Sequence, residues 1–184
     1  MLREVLWVQT KEQLVIQPLV GYAPSVGYAL ACLEWERSKT LEGVAGLSLE
    51  TLDGTADGFP NSVGSLLYHI ALIELDWLYS EILEKSIPED FEAVFPLEHR
   101  DEEGHLAVVV GLELDEHLGR LATVRRTLLE ELQGMTDEDF YQSRLLEPYD
   151  VNPAWVLYHL LEHEAKHSAQ IALLRRRLEA GQGT

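Results

Sequence analysis

Apolar positions recur at helical spacing in four stretches of this chain, and no stretch alternates convincingly enough to argue for a sheet. After Pro24-Ser25 the series Val26, Leu30, Leu33, Trp35, Arg37, Leu41, Val44 marks a first helix. A second carries Leu66, His69, Ile70, Ile73 and Trp77, with Asn61 or Ser62 placed to cap its free backbone N–H groups. A third, from near His105 or Gly111 to Leu132, shows Val110, Leu114, His117, Leu121, Val124 and Leu128 at alternating steps of four and three, the seam of a packed helix. Gly134 ends it. The fourth begins with Asn152 as N-cap and Pro153 in the first turn, where a missing N–H costs nothing, and runs to about Leu178, with Gly181 beyond.

The connections are as informative as the helices. Residues 1–20 read as an extended arm or short helix limited by Pro18, and 47–60 as a linker rich in turn formers. Residues 86–104 form a loop with two prolines and a run of carboxylates (Glu89, Asp90, Glu92, Glu98, Asp101, Glu102, Glu103). Thr136 with Glu138 and Asp139 starts a short turn. Four long helices without a sheet predict an all-α protein, a four-helix bundle, as one domain over 1–184.

Charge narrows the partners. Thirty-two acidic against fourteen basic residues give a formal charge of −18, a field that repels phosphate backbones and anionic membranes. No nucleic acid and no membrane are therefore expected as partners. No apolar run approaches the ~20 residues of a membrane span, and the N-terminus lacks the pattern of a signal peptide. The expectation is a soluble cytoplasmic protein. Cys32, the only cysteine, excludes a disulfide framework or thiolate cluster within the chain and is read as a buried inert thiol.

The chemistry lies in the histidines. His159, His163 and His167 follow one another at four-residue steps, which on a helix turns each by only about 40° from the last. His163 and His167 form an H-x3-H pair able to hold one divalent ion from two successive turns. His69 shares a face with Leu66, Ile73 and Trp77, so it points to the interior, where an imidazole needs a hydrogen-bond partner or a metal. Alone it reads as a core histidine; beside an H-x3-H it is the third ligand. Three imidazoles from two helices leave part of the coordination open, the mark of a catalytic site. His159 and His117 are assigned to the core or to the surroundings of the metal. His99 and His105 read as solvated, and Glu162 and Glu164 as surface groups or supports of the ligands.

The segments NSVGSLLYHIALIELDWL and HLLEHEAKHSAQIALLRRRL together resemble the DinB family of DinB/YfiT-like metalloenzymes, over about residues 25–178. The resemblance implies an up-up-down-down bundle with a long crossover between helices 2 and 3, for which 86–104 stands. It implies a divalent metal (Zn, Ni or similar) on His69, His163 and His167, and commonly a homodimer. The family's fourth helix often reads H-x3-H-R-G-Q. Here Ser168 and Ala169 replace Arg-Gly while Gln170 matches, so a cation next to the site is missing and Gln170 joins His159 and His117 as a supporting residue.

An open position on a divalent ion can lower the pKa of bound water or hold a thiol in its reactive form. Relatives resembling thiol transferases favour the second use. The expected activity is a metal-dependent thiol S-transferase joining a low-molecular-weight thiol (bacillithiol, mycothiol or glutathione) to a small electrophile. The alternatives are a non-catalytic, stress-associated metal-binding bundle and a metal-dependent hydrolase.

Overall fold

In the computed structural model, which describes residues 14–100 and 103–181, the protein is mostly helical. Helices α1 (Pro24–Val44), α3 (Val63–Trp77), α4 (Leu114–Leu132) and α6 (Pro153–Gly181) are long; α2 (Leu49–Asp53) and α5 (Asp137–Tyr141) are single turns. A π-helical turn, Leu78–Ile82, extends α3, and a 3-10 turn covers Glu89–Phe91. Two two-residue strands, β1 (Arg144–Leu145) and β2 (Asp150–Val151), pair antiparallel just before α6. Most of the predicted arm, residues 1–13, lies outside the described residues, as do Asp101 and Glu102 of the acidic loop.

The local sequence accounts for the helix starts. Ser62 caps α3 by accepting from the Ser65 N–H at 3.1 Å. Asn152 does the same for α6, accepting from the Trp155 N–H at 2.8 Å. Helix α4 starts at Leu114, later than the apolar spacing predicts, because Glu113 and Glu116 close a reciprocal capping box there. Val110 therefore precedes the helix and is exposed. The 47–60 linker contains α2, capped by Ser48, which seats Leu52 in the core. Gly181 belongs to α6 instead of lying beyond it.

The long helices close a ring of contacts: α1 on α6, α6 on α3, α3 on α4, and α4 on α1. Paired side chains give their directions. Gly64 faces His117, the Tyr68 ring faces Arg120 and Glu74 binds Arg125, so α3 and α4 run parallel. Tyr22 reaches the Leu129 carbonyl while Arg37 reaches that of Leu121, so α1 opposes α4. Arg37 pairs with Glu164 and Arg175 with the Gly43 carbonyl, which sets α6 parallel to α1. The order is up-down-down-up, and the up-up-down-down expectation is corrected. Reversing a helix leaves its apolar face unchanged, so periodicity carries no direction.

Parallel α3 and α4 force the intervening chain to return the length of a helix, on the order of 25–30 Å for such elements. Residues 83–100 and 103–113 make that return along α3. Phe91 packs near Tyr79, the Tyr68 hydroxyl both donates to the Leu97 carbonyl (2.6 Å) and accepts from its N–H (2.9 Å), and Val109 N–H donates to Ser65. Arg120 lies over the Tyr68 and Phe95 rings and donates to the Val94 carbonyl.

One residue from each long helix meets in the interior. Arg37 donates to Glu164 (2.6 Å) and Glu74 (2.7 Å), and Arg125 donates to Glu74 (2.7 and 2.9 Å) and Glu164 (3.3 Å). All four are buried. Two guanidinium groups and two carboxylates balance in charge, and Glu34 at the edge binds Arg125 as well. Burial pushes the Glu74 carboxyl upward, but Arg125 and Arg37 outweigh it and hold its pKa below the usual carboxylate range.

A candidate metal centre between two helices

Helix α3 is apolar almost all round, which makes it a central helix and carries His69 to 3 % exposure. Across it lies the start of α6, whose four-residue spacing stacks His159, His163 and His167 along one stripe. His163 Nε2 stands 3.1 Å from His69 Nε2 and 3.2 Å from His167 Nε2. Their candidate donor atoms all lie within 4.8 Å of one another, and no other such group of His, Cys, Asp or Glu occurs among the described residues.

The donor set fits a divalent ion. Nitrogens bound to one tetrahedral ion at ~2.0–2.1 Å stand about 3.3 Å apart, close to these separations. Gln170 Oε1 lies 2.7 Å from His167 Nδ1, so the amide oxygen accepts from that N–H and leaves the Nε2 lone pair facing the other rings. The rings are held neutral. Burial, then the neighbouring His167, lowers the pKa of His69 and His163 to about 3. His167 is lowered as well, again chiefly by burial. The Arg100 guanidinium on the crossover lowers all three, so a cation does stand near the site although α6 lacks the expected arginine. His163 and His167 are only partly buried, which leaves the cluster reachable from solvent.

The other sequence candidates separate. His159 belongs to a ring cluster beside the triad: its centroid is 4.4 Å from Trp77, 5.0 Å from the parallel Trp155 and 6.1 Å from His163. His117 is buried against Gly64 at the far end of α3, with neither ring nitrogen hydrogen-bonded. His99 and His105 are exposed. Glu162 pairs with Lys166 on the surface, whereas Glu164 is 1 % exposed in the buried ion network, deeper than its sequence reading. Helical spacing puts it on the buried face of Leu157, Leu160 and Ile171, and its distant partners Arg37 and Arg125 balance the charge buried there. Cys32 is half-buried in a groove with Tyr28, Phe140 and Leu161, outside the histidine group.

Fold and site together define a helical protein with an open three-histidine cluster suited to a metal ion. The DinB superfamily model matches residues 33–171, and the chain belongs to that superfamily. It is similar to the uncharacterized protein YkkA of Bacillus subtilis, 30 % identical over 118 residues. That match takes in 63 % of this chain and 66 % of YkkA, just under two thirds of the relative's length. A crystal structure of a conserved protein from Enterococcus faecalis shares the fold, with a TM-score of 0.66 at 17 % identity over 83 % of this chain and 95 % of that one. No helix of the described residues is long and apolar enough to cross a membrane.

Proposed function

We propose that this DinB-superfamily protein is a divalent-metal-dependent S-transferase, in which a low-molecular-weight thiol attacks a small electrophile beside His69, His163 and His167. The observation that carries the reading is the convergence of three imidazole nitrogens from α3 and α6 on one point, with His163 and His167 only partly buried. A divalent ion held there supplies Lewis acidity, which favours the thiolate over the thiol at neutral pH.

The chain's own residues prepare the rest. Gln170 orients His167, and the apolar packing around His69 keeps its ring neutral and fixed. The positive field of Arg100 reaches the histidines and favours an anionic sulfur there. Cys32 lies in a separate groove, so the sulfur nucleophile is a cosubstrate's. With a chloroalkyl acceptor the thiol sulfur forms the new C–S bond as chloride departs with the C–Cl electron pair, and the thiol proton passes to solvent.

The test is metal-loaded protein with monochlorobimane and a panel of bacillithiol, mycothiol and glutathione, followed by fluorescence. Conjugation above the uncatalysed rate with one thiol, lost in His69→Ala, is the expected result. Full metal occupancy with no turnover for any thiol overturns the transferase reading. Hydrolysis of ester or amide substrates under the same conditions would move the assignment to a hydrolase.

A further inference from the structure

Beside the histidine cluster a cavity of about 500 Å³ opens between the end of α3, the β1–β2 hairpin and the start of α6. Its walls include Trp77, Ser143, Tyr149, Asp150, Asn152 and Trp155. The metal reading uses none of them. We infer that this cavity is a binding site for a small organic cation, a quaternary or protonated amine, seated on the tryptophan and tyrosine rings.

The wall is aromatic and under-covered. Trp155 packs against His159 and Trp77, yet 47 % of it remains exposed, and Tyr149 is 43 % exposed. Both rings therefore leave apolar surface free for a ligand to cover, and covering it is favourable. The hairpin fixes Tyr149 and Asp150 in place: Leu145 pairs with Asp150, and the Leu146 N–H donates to the Tyr149 carbonyl.

Charge selects the ligand. Asp150 is an exposed carboxylate in the wall, and the Tyr149 hydroxyl donates to Glu81 Oε1 at 2.8 Å. Glu81 Oε2 is buried without a hydrogen-bond partner. Glu81 and Asp76 both push the Tyr149 hydroxyl pKa up, after burial, so their field reaches the cavity's edge. No lysine or arginine lines the cavity. The adjacent N-terminus of α6 opposes a cation with its partial positive charge, reduced because Pro153 has no N–H and Asn152 takes that of Trp155, so the carboxylates must outweigh it. Aromatic faces with nearby carboxylates and no cation are the recognition chemistry of quaternary ammonium groups.

The site touches the histidine cluster only through His159, and it stands whether or not thiols are transferred there. Choline and 3,3-dimethylbutan-1-ol, which have one shape and differ in charge, separate the possibilities when titrated into full-length metal-loaded protein by calorimetry and tryptophan fluorescence. Choline is expected to saturate, with the neutral alcohol at least tenfold weaker. Trp155→Ala and Asp150→Asn should each weaken choline several-fold while bound metal stays constant. Equal binding of the two probes, or no saturable binding of choline, overturns the inference. Should Trp155→Ala also lose metal, Asp150→Asn decides: unchanged choline affinity in that variant overturns it.

Discussion

Arg37 on α1 holds Glu164 at 2.6 Å, and Glu164 is the residue directly after His163 on α6. The ion network that joins all four long helices is therefore continuous in sequence with the histidine cluster. It fixes the rotation of α6 about its axis, which in turn aims His163 and His167 at His69. A buried charge that loses its partner is far more costly than one left in water, so the arrangement has no cheap alternative.

Glu74→Ala removes the carboxylate that both arginines share and leaves buried positive charge. Destabilisation of about 3–5 kcal/mol is expected, read by urea denaturation. Glu130→Ala, an exposed glutamate of α4 in a long surface pair with Arg126, should change stability by less than about 0.5 kcal/mol.

The same carboxylate sets an acid limb of stability. Its folded pKa lies below the unfolded value of ~4.3, so the folded state binds fewer protons than the unfolded one. The contribution is complete above about pH 4.3 and is lost as pH falls through the folded pKa. The stability difference between the wild type and Glu74→Gln should therefore shrink below about pH 4. A difference that stays constant down to pH 3 contradicts the paired state of Glu74.

Metal binding divides the histidines. His69→Ala should abolish stoichiometric binding, measured by metal analysis after dialysis, while His117→Ala leaves it intact. Gln170→Ala keeps all three donors but loses the orientation of His167, and a weakening of about 10–100-fold is expected. Retention of full affinity in His69→Ala would mean that the two-helix site is wrong.

Gly64 and Gly119 make a matched pair. A Cβ at Gly64 would stand 3.1 Å from His117 Nε2 and 3.2 Å from the Val109 carbonyl, whereas one at Gly119 meets nothing within 4 Å. Gly64→Ala should cost about 1–3 kcal/mol through overpacking. Gly119→Ala, in the exposed interior of α4, should gain about 0.5–1 kcal/mol by lowering the entropy of the unfolded chain.

Tyr68→Phe removes both bonds to Leu97 and leaves that residue's backbone groups to find water. A loss of about 1–2 kcal/mol is expected, with faster amide exchange over residues 94–97 than in the helices.

The helices were legible from apolar spacing and caps because both are local: Ser62, Asn152 and Thr136 act within three residues of themselves. His69, His163 and His167 could be named in advance because a polar ring on an apolar face is conspicuous in any sequence, and the H-x3-H pair grouped them before the resemblance to the DinB family implied the same set. Glu164 shares the face of Leu157, Leu160 and Ile171, so spacing alone pointed it inward, but its partner was not readable: Arg37 stands 127 residues away. The helix directions, the capped start of α4 after Val110, and the assembly of Trp77, Tyr149 and Trp155 into one cavity were likewise decided by the tertiary structure. Periodicity states which face of a helix is buried, and only packing between distant segments states against what.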